Sequence, residues 1–209
     1  MARIKPISDA QADDRTQLAY HALRLMSGRI ANFQRTAAHS PAILRWLAPF
    51  VQVTQREGPD TVLSGSIREL AILKTSIINH CGYCTSHNRA LAAGTGITDE
   101  QLDAIDGPGY LESDLFSERE RLAMAWAESV TLNRAKSDTK LYAQLEASFT
   151  TQEIVELTFV IAMFNMINRV NESLHVDLED EQEMVKIRSR LDLDEDALRA
   201  YVKALADSW

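Results

Sequence analysis

Long apolar runs are missing from this chain of 209 residues. The longest, residues 122–127 and 159–164, hold about six residues each, against the ~20 needed to cross a bilayer, so no membrane span is expected. A basic excess is also missing. Lys and Arg total 22 against 30 Asp and Glu, a formal charge of -8, and without a positive face neither nucleic acid nor an anionic membrane is an expected partner. Residues 177–209 hold ten acidic and five basic side chains and so carry -5 of that charge; they read as a solvated helical face. The first fourteen residues lack a basic stretch followed by an apolar one and include Asp9, Asp13 and Asp14, so no export signal is expected and a cytoplasmic location is.

Glycine and proline are scarce, at eight and five, and no convincing alternation of apolar and polar residues marks a strand. Apolar residues recur at three and four, which predicts an all-α fold. With 45% apolar residues, the chain can bury one sizeable core, and a single compact multi-helix domain over 1–209 is expected, with acidic C-terminal helices from about 179. Ser40 followed by Pro41 marks one helix start. The spacings Ser66-x-x-Glu69, Thr98-x-x-Gln101, Ser117-x-x-Glu120 and Thr150-x-x-Glu153 mark four capping boxes. Helices are predicted over 10–30, 41–57, 67–80, 82–93, 99–105, 118–133, 138–147, 151–173, 179–190 and 195–207. Gly94 and Gly96 close one of them, and Gly107-Pro108-Gly109 is the strongest break.

Cysteine is the scarcest informative residue: there are two, both inside Asn79-His80-Cys81-Gly82-Tyr83-Cys84-Thr85-Ser86-His87. Two thiols in one short stretch do not make a secreted disulfide scaffold. If a helix starts at Cys81 or Gly82, both thiols lie on one face, within disulfide range, at the end where free N–H groups and the helix dipole stabilise a thiolate. His87, one turn beyond Cys84, is a candidate general base or acid. Glu69 is a candidate cap from its spacing to Ser66. It also lies eleven residues before a turn near residue 80, and His87 lies seven after it. In a hairpin their axial offset is about 6 Å, against about 10 Å from Glu69 to Cys84. That geometry suggests a proton relay in the order Glu69, His87, Cys84, with Cys81 as the resolving thiol.

Competing readings attach to the same residues. Two buried cysteines can be simple packing. Cys81, Cys84 and His87, with His80 as a fourth, have the chemistry of metal ligands, although structural zinc usually recruits a second, distant pair. Covalent c-type haem is excluded because Thr85, not His, follows Cys84. Tyr83 either lines a substrate pocket or packs, and Asn165, Asn168 and Arg169 either satisfy buried helix ends or hold a carboxylate.

The residues Arg68-Glu69-Leu70-Ala71-Ile72-Leu73, then Cys81-Gly82-Tyr83-Cys84 and His87, resemble the alkyl hydroperoxidase D-like, or carboxymuconolactone decarboxylase-like, all-helical family. Further similarity lies in Phe116-Ser117-Glu118-Arg119-Glu120-Arg121, in Ala125-Trp126-Ala127-Glu128, and in Glu153-Ile154-Val155-Glu156-Leu157 leading to Phe164-Asn165-Met166-Ile167-Asn168-Arg169. The resemblance implies a thiol-dependent peroxidase without cofactor or metal, in which Glu69, Cys81, Cys84 and His87 are the matching site residues. It also implies a hydroperoxide substrate, an external thiol reductant or redox partner protein, and a homo-oligomer (dimer, trimer or hexamer). The chain departs from the best-known peroxidase members at two positions: Asn88 stands where their histidine follows the second cysteine by four, and Tyr83 where a histidine lies between the cysteines. The alternatives are a decarboxylase-type lyase and a non-catalytic redox-sensing or metal-binding helical protein.

Overall fold

The computed structural model of the protein describes residues 2–187 and 193–207. Eleven α-helices form among them: α1 Asp14–Ser27, α2 Asn32–Ala37, α3 Pro41–Gln55, α4 Gly65–Ile78, α5 Gly82–Ala92, α6 Asp99–Ala104, α7 Glu118–Thr131, α8 Thr139–Ser148, α9 Thr151–Leu174, α10 Glu181–Ile187 and α11 Glu195–Asp207. No strand occurs among the described residues, so the fold is all-α. Three of the four capping boxes form as spaced: Thr98 with Gln101, Ser117 with Glu120 and Thr150 with Glu153 each exchange side chain-to-backbone bonds. Ser40 and Pro41 also open α3 as expected.

The fourth box does not form. α4 begins at Gly65 with Ser64 as its N-cap, because a tertiary contact overrides the local signal. The Leu63 N–H donates to Glu156 at 2.9 Å and the Leu63 carbonyl accepts from Arg68 at 2.9 Å, which turns the chain into the helix before Ser66. Glu69 is therefore an interior residue of α4 and not a cap. The predicted helix 10–30 divides into a 3-10 turn, Asp9–Gln11, and α1, where Asp13 caps Thr16 N–H at 2.8 Å; α1 ends at Gly28 in the left-handed region (φ 75°). The helix expected over 179–190 is α10 as far as Ile187, and its end lies outside the described residues.

The chain forms two compact units, Met1–Gly58 with Asn171–Trp209, and Pro59–Val170. In the first, α1, α3 and α11 pack around Tyr20, Leu23, Met26, Leu44 and Tyr201. In the second, α4 is the central helix. It packs on α5 and α7, and every residue from Ile67 to Ser76 is buried. Full burial of Leu70, Ile72 and Leu73 contributes about 2 kcal/mol each.

A helix buried on all sides must satisfy its polar residues internally. Thr75 and Ser76 donate to the carbonyls of Ala71 and Ile72. Lys74 Nζ donates to the carbonyls of Ile105 and Gly107 at 3.1 and 3.2 Å and stands 4.2 Å from the Tyr110 ring centre. Lys74 thus fastens the Gly107-Pro108-Gly109 break to α4. Burial pulls the Lys74 pKa below its ordinary value, while Glu128 and Asp106 pull it up. The unfolded chain therefore binds the extra proton, and Lys74's contribution to stability rises with pH between the lowered value and 10.5. Lys74→Met is expected to cost about 1–3 kcal/mol, because it leaves two carbonyls without their donor. A denaturant midpoint unchanged from wild type would show that water replaces the ammonium.

Candidate active site

The site is built by the link between α4 and α5. α4 ends in a Schellman motif: the His80 N–H donates to the Ile77 carbonyl at 3.0 Å and the Cys81 N–H to the Ser76 carbonyl at 2.9 Å. His80 occupies the left-handed position (φ 53°) that glycine usually fills. Its side chain is exposed. The Cys81 carbonyl in turn accepts the first bond of α5, from the Thr85 N–H at 2.9 Å. One residue therefore closes one helix and opens the next, and the expected hairpin forms.

Cys81 immediately precedes α5, and Cys84 lies in its first turn. Both are free thiols and both are buried, at 0% and 2% exposure. Their Sγ atoms lie 2.7 Å apart, and the Cys84 N–H donates to Cys81 Sγ at 3.3 Å. The Cys81 sulfur thus takes the acceptor role that a serine or aspartate oxygen fills at an ordinary helix start.

His87 and Tyr83 form a second pair on α5. Their rings stack at 4.1 Å, and His87 Nδ1 is 2.8 Å from the Tyr83 carbonyl. A carbonyl only accepts, so the Nδ1 of a neutral His87 carries the proton and Nε2 is its basic nitrogen. Nε2 is buried, as is Oε2 of Glu69 on the neighbouring helix α4. The structure thus pairs Cys81 with Cys84 and His87 with Tyr83. Among the described residues no group of three or more His, Cys, Asp or Glu side chains is gathered as a metal site would require.

Other polar residues surround the site, and of the asparagines among them only Asn79 carried no expectation from the sequence. Asn88, 2% exposed, donates to the Cys84 carbonyl at 2.7 Å. Asn79, at the end of α4, donates to the side-chain oxygens of Asn165 and Asn168, both at 3.0 Å. Asn168 donates to Ser76 Oγ at 3.2 Å, Asn165 to Thr131 Oγ1 at 3.0 Å, and Arg169 to Asn165 Oδ1 at 2.7 Å. This cluster ties α9 to the residues on which Cys81 is hung. Asn165 and Asn168 thus hold the side chain of Asn79, the residue that ends α4.

An all-helical protein with two free thiols in contact at a helix start is the class that this fold and site define. Residues 41–129 match the sequence model of the carboxymuconolactone decarboxylase family. The Escherichia coli (strain K12) protein YnjA is 28% identical over 137 residues, which are 65% of this chain and 72% of YnjA. An alkylhydroperoxidase AhpD core, a peroxidase-related protein from Ralstonia eutropha JMP134, superposes with a TM-score of 0.72 at 21% identity, over 90% of this chain and 96% of that one. The debrominase Bmp8 superposes with a TM-score of 0.69 at 18% identity, over 88% and 96%. Residues 41–129 are thus similar to the carboxymuconolactone decarboxylase family, and the fold is that of the AhpD-like proteins. No helix among the described residues is long and apolar enough to cross a membrane.

Proposed function

We propose that the protein is a thiol-dependent peroxidase. The observation that carries this reading is the pair of free thiols 2.7 Å apart at the start of α5. The Cys84 thiolate attacks the terminal oxygen of a hydroperoxide, the O–O bond breaks, and a proton from His87 completes the departing alcohol. Cys84 is then a sulfenic acid. The Cys81 thiol gives up its proton to His87 and attacks the Cys84 sulfur, the hydroxyl takes that proton and leaves as water, and a Cys81–Cys84 disulfide remains. An external dithiol or redox protein returns two electrons and two protons. Glu69, buried on α4, stands at the far end of the proton path through His87, and Tyr83 holds the imidazole ring by stacking. The sulfurs already touch, so the second step needs no rearrangement of the backbone.

The same dithiol suits any substrate with an electrophilic heteroatom. The likeness in fold to a debrominase, whose cysteine-to-alanine form has been solved with 2,3,4-tribromopyrrole, makes a bromopyrrole the second substrate to try. There the thiolate takes the bromine and the ring carbon takes a proton. The second thiolate then expels bromide and forms the same disulfide.

The test is a free-thiol count with intact mass before and after one equivalent of cumene hydroperoxide, followed by excess dithiothreitol. A reversible loss of two hydrogens, and many equivalents of peroxide consumed per chain with dithiol present, is the expected result. Thiols that stay reduced with both substrates would overturn the redox reading. A decarboxylase activity that survives joint Cys81→Ser and Cys84→Ser replacement would put a lyase in its place.

A further inference from the structure

Asn168 on α9 is wholly buried, at 0% exposure, and both groups of its side-chain amide are used. Its Nδ2 donates to Ser76 Oγ at 3.2 Å, and its Oδ1 accepts from Asn79 Nδ2 at 3.0 Å. The two partners stand at the end of α4, three residues apart and so on one face of the helix. A leucine of similar size would bury more apolar surface there without desolvating an amide. What the amide supplies instead is direction: two bonds to fixed atoms set the rotation and height of the α4 end, which apolar contact leaves free to slide.

Cys81 hangs from these same two residues. The Ser76 carbonyl accepts from the Cys81 N–H at 2.9 Å, and Asn79 is followed by His80 in the left-handed conformation (φ 53°) and then by Cys81. A residue with a β-carbon keeps that conformation only where its surroundings hold it. Asn79, bonded to both Asn165 and Asn168, is the anchor on its N-terminal side. Asn168 therefore reaches Cys81 by two routes, through the backbone bond from Ser76 and through the turn itself. Both routes end at the 2.7 Å contact between the Cys81 and Cys84 sulfurs. Bond formation depends steeply on placement, and an error of about 1 Å at a reacting atom can cost roughly a hundredfold.

We infer that Asn168 is a positioning residue for disulfide closure, the second step of the peroxidase cycle proposed above. It acts on the sulfurs through Ser76 and Asn79. By fixing the turn between α4 and α5 it keeps Cys81 within reach of the Cys84 sulfenic acid. Loss of water and formation of the disulfide then outrun attack by a second peroxide, which would carry Cys84 on to a sulfinic acid.

Equilibrating the full chain with reduced and oxidised dithiothreitol measures how strongly the pair closes, with no peroxide involved. Asn168→Leu is expected to shift that equilibrium roughly tenfold or more toward the dithiol. Asn79→Ala, at a half-buried position, is expected to shift it in the same direction, and the double variant by less than the product of the two. Leu145→Ala, a core truncation on α8 in the cluster of Trp126 and Phe149, lowers stability elsewhere and is expected to stay within about twofold of wild type. With cumene hydroperoxide, dimedone adduct on Cys84 is expected to rise in Asn168→Leu while the rate of first thiol loss is unchanged. An equilibrium unmoved in Asn168→Leu, a shift toward the disulfide, or an equal shift in Leu145→Ala would each overturn the role of Asn168. Wild-type thiols that ignore peroxide would instead sink the peroxidase reading, and the dithiothreitol equilibrium would still decide on Asn168.

Discussion

Cys84→Ser is expected to lower peroxide turnover by roughly a thousandfold or more, since it removes the atom that the peroxide oxygen joins. Cys81→Ser is expected to behave differently. Its first step survives, the sulfenic acid on Cys84 persists, and one equivalent of peroxide is consumed instead of many. Dimedone labelling with peptide mass mapping separates the two: adduct on Cys84 in Cys81→Ser, and none on Cys81 in Cys84→Ser on the same time scale. The asymmetry rests on position. Cys81 Sγ is engaged by the Cys84 N–H and its residue is wholly buried, while Cys84 keeps a small exposed area. Sulfenic acid forming on Cys81 of Cys84→Ser at the wild-type rate would reverse the assignment of the two thiols.

Arg68→Met is expected to have the largest effect on stability. Arg68 is 1% exposed and donates to the Leu63 carbonyl and, at 3.3 Å, to Glu156. Glu156 also accepts from the N–H groups of Val62 and Leu63. Removing the guanidinium strands a mostly buried carboxylate and a carbonyl, whereas the arginine's own burial gives little by itself. Loss of one partner from such a pair costs about 3–5 kcal/mol. The partial exposure of Glu156 places the figure near the lower end, about 3 kcal/mol, or a fall in Tm of roughly 10 °C for a chain of this size. Arg68→Met combined with Glu156→Leu is expected to recover part of the loss, because the stranded charge is gone. Thermal unfolding followed by circular dichroism decides the matter, and a shift under about 2 °C in Arg68→Met would show that water satisfies Glu156.

What could be read from the sequence divides by range. Signals contained within four residues were legible: the Thr98, Ser117 and Thr150 boxes, the Ser40-Pro41 start, and the two thiols together at the start of α5. α2 was not, because Ala31 precedes it and only the Gln34 side chain reaches back to the Ala31 N–H. Ser66 misled because the start of α4 is set by Glu156, about ninety residues away. The partner of Asn165 and Asn168 was hidden for the same reason. Asn79 meets Asn165 and Asn168 only after α9 has packed, and no spacing in one sequence announces that. The span 10–30 is divided by local signals of the same short range, since Asp13 caps the start of α1 and Gly28 ends it.

The double duty of Cys81 limits how this scaffold can diversify. The link from α4 to α5 has no slack, since the backbone of Cys81 is bonded to both helices at once. One inserted residue would rotate α5 by about 100° and advance it 1.5 Å, carrying Tyr83, Cys84 and His87 out of phase with α4. Length variation among descendants of this chain should therefore gather in the segments between α5 and α7. Changes of substrate should arise by substitution on faces already in register, with the distance from Glu69 to Cys81 held constant along the chain.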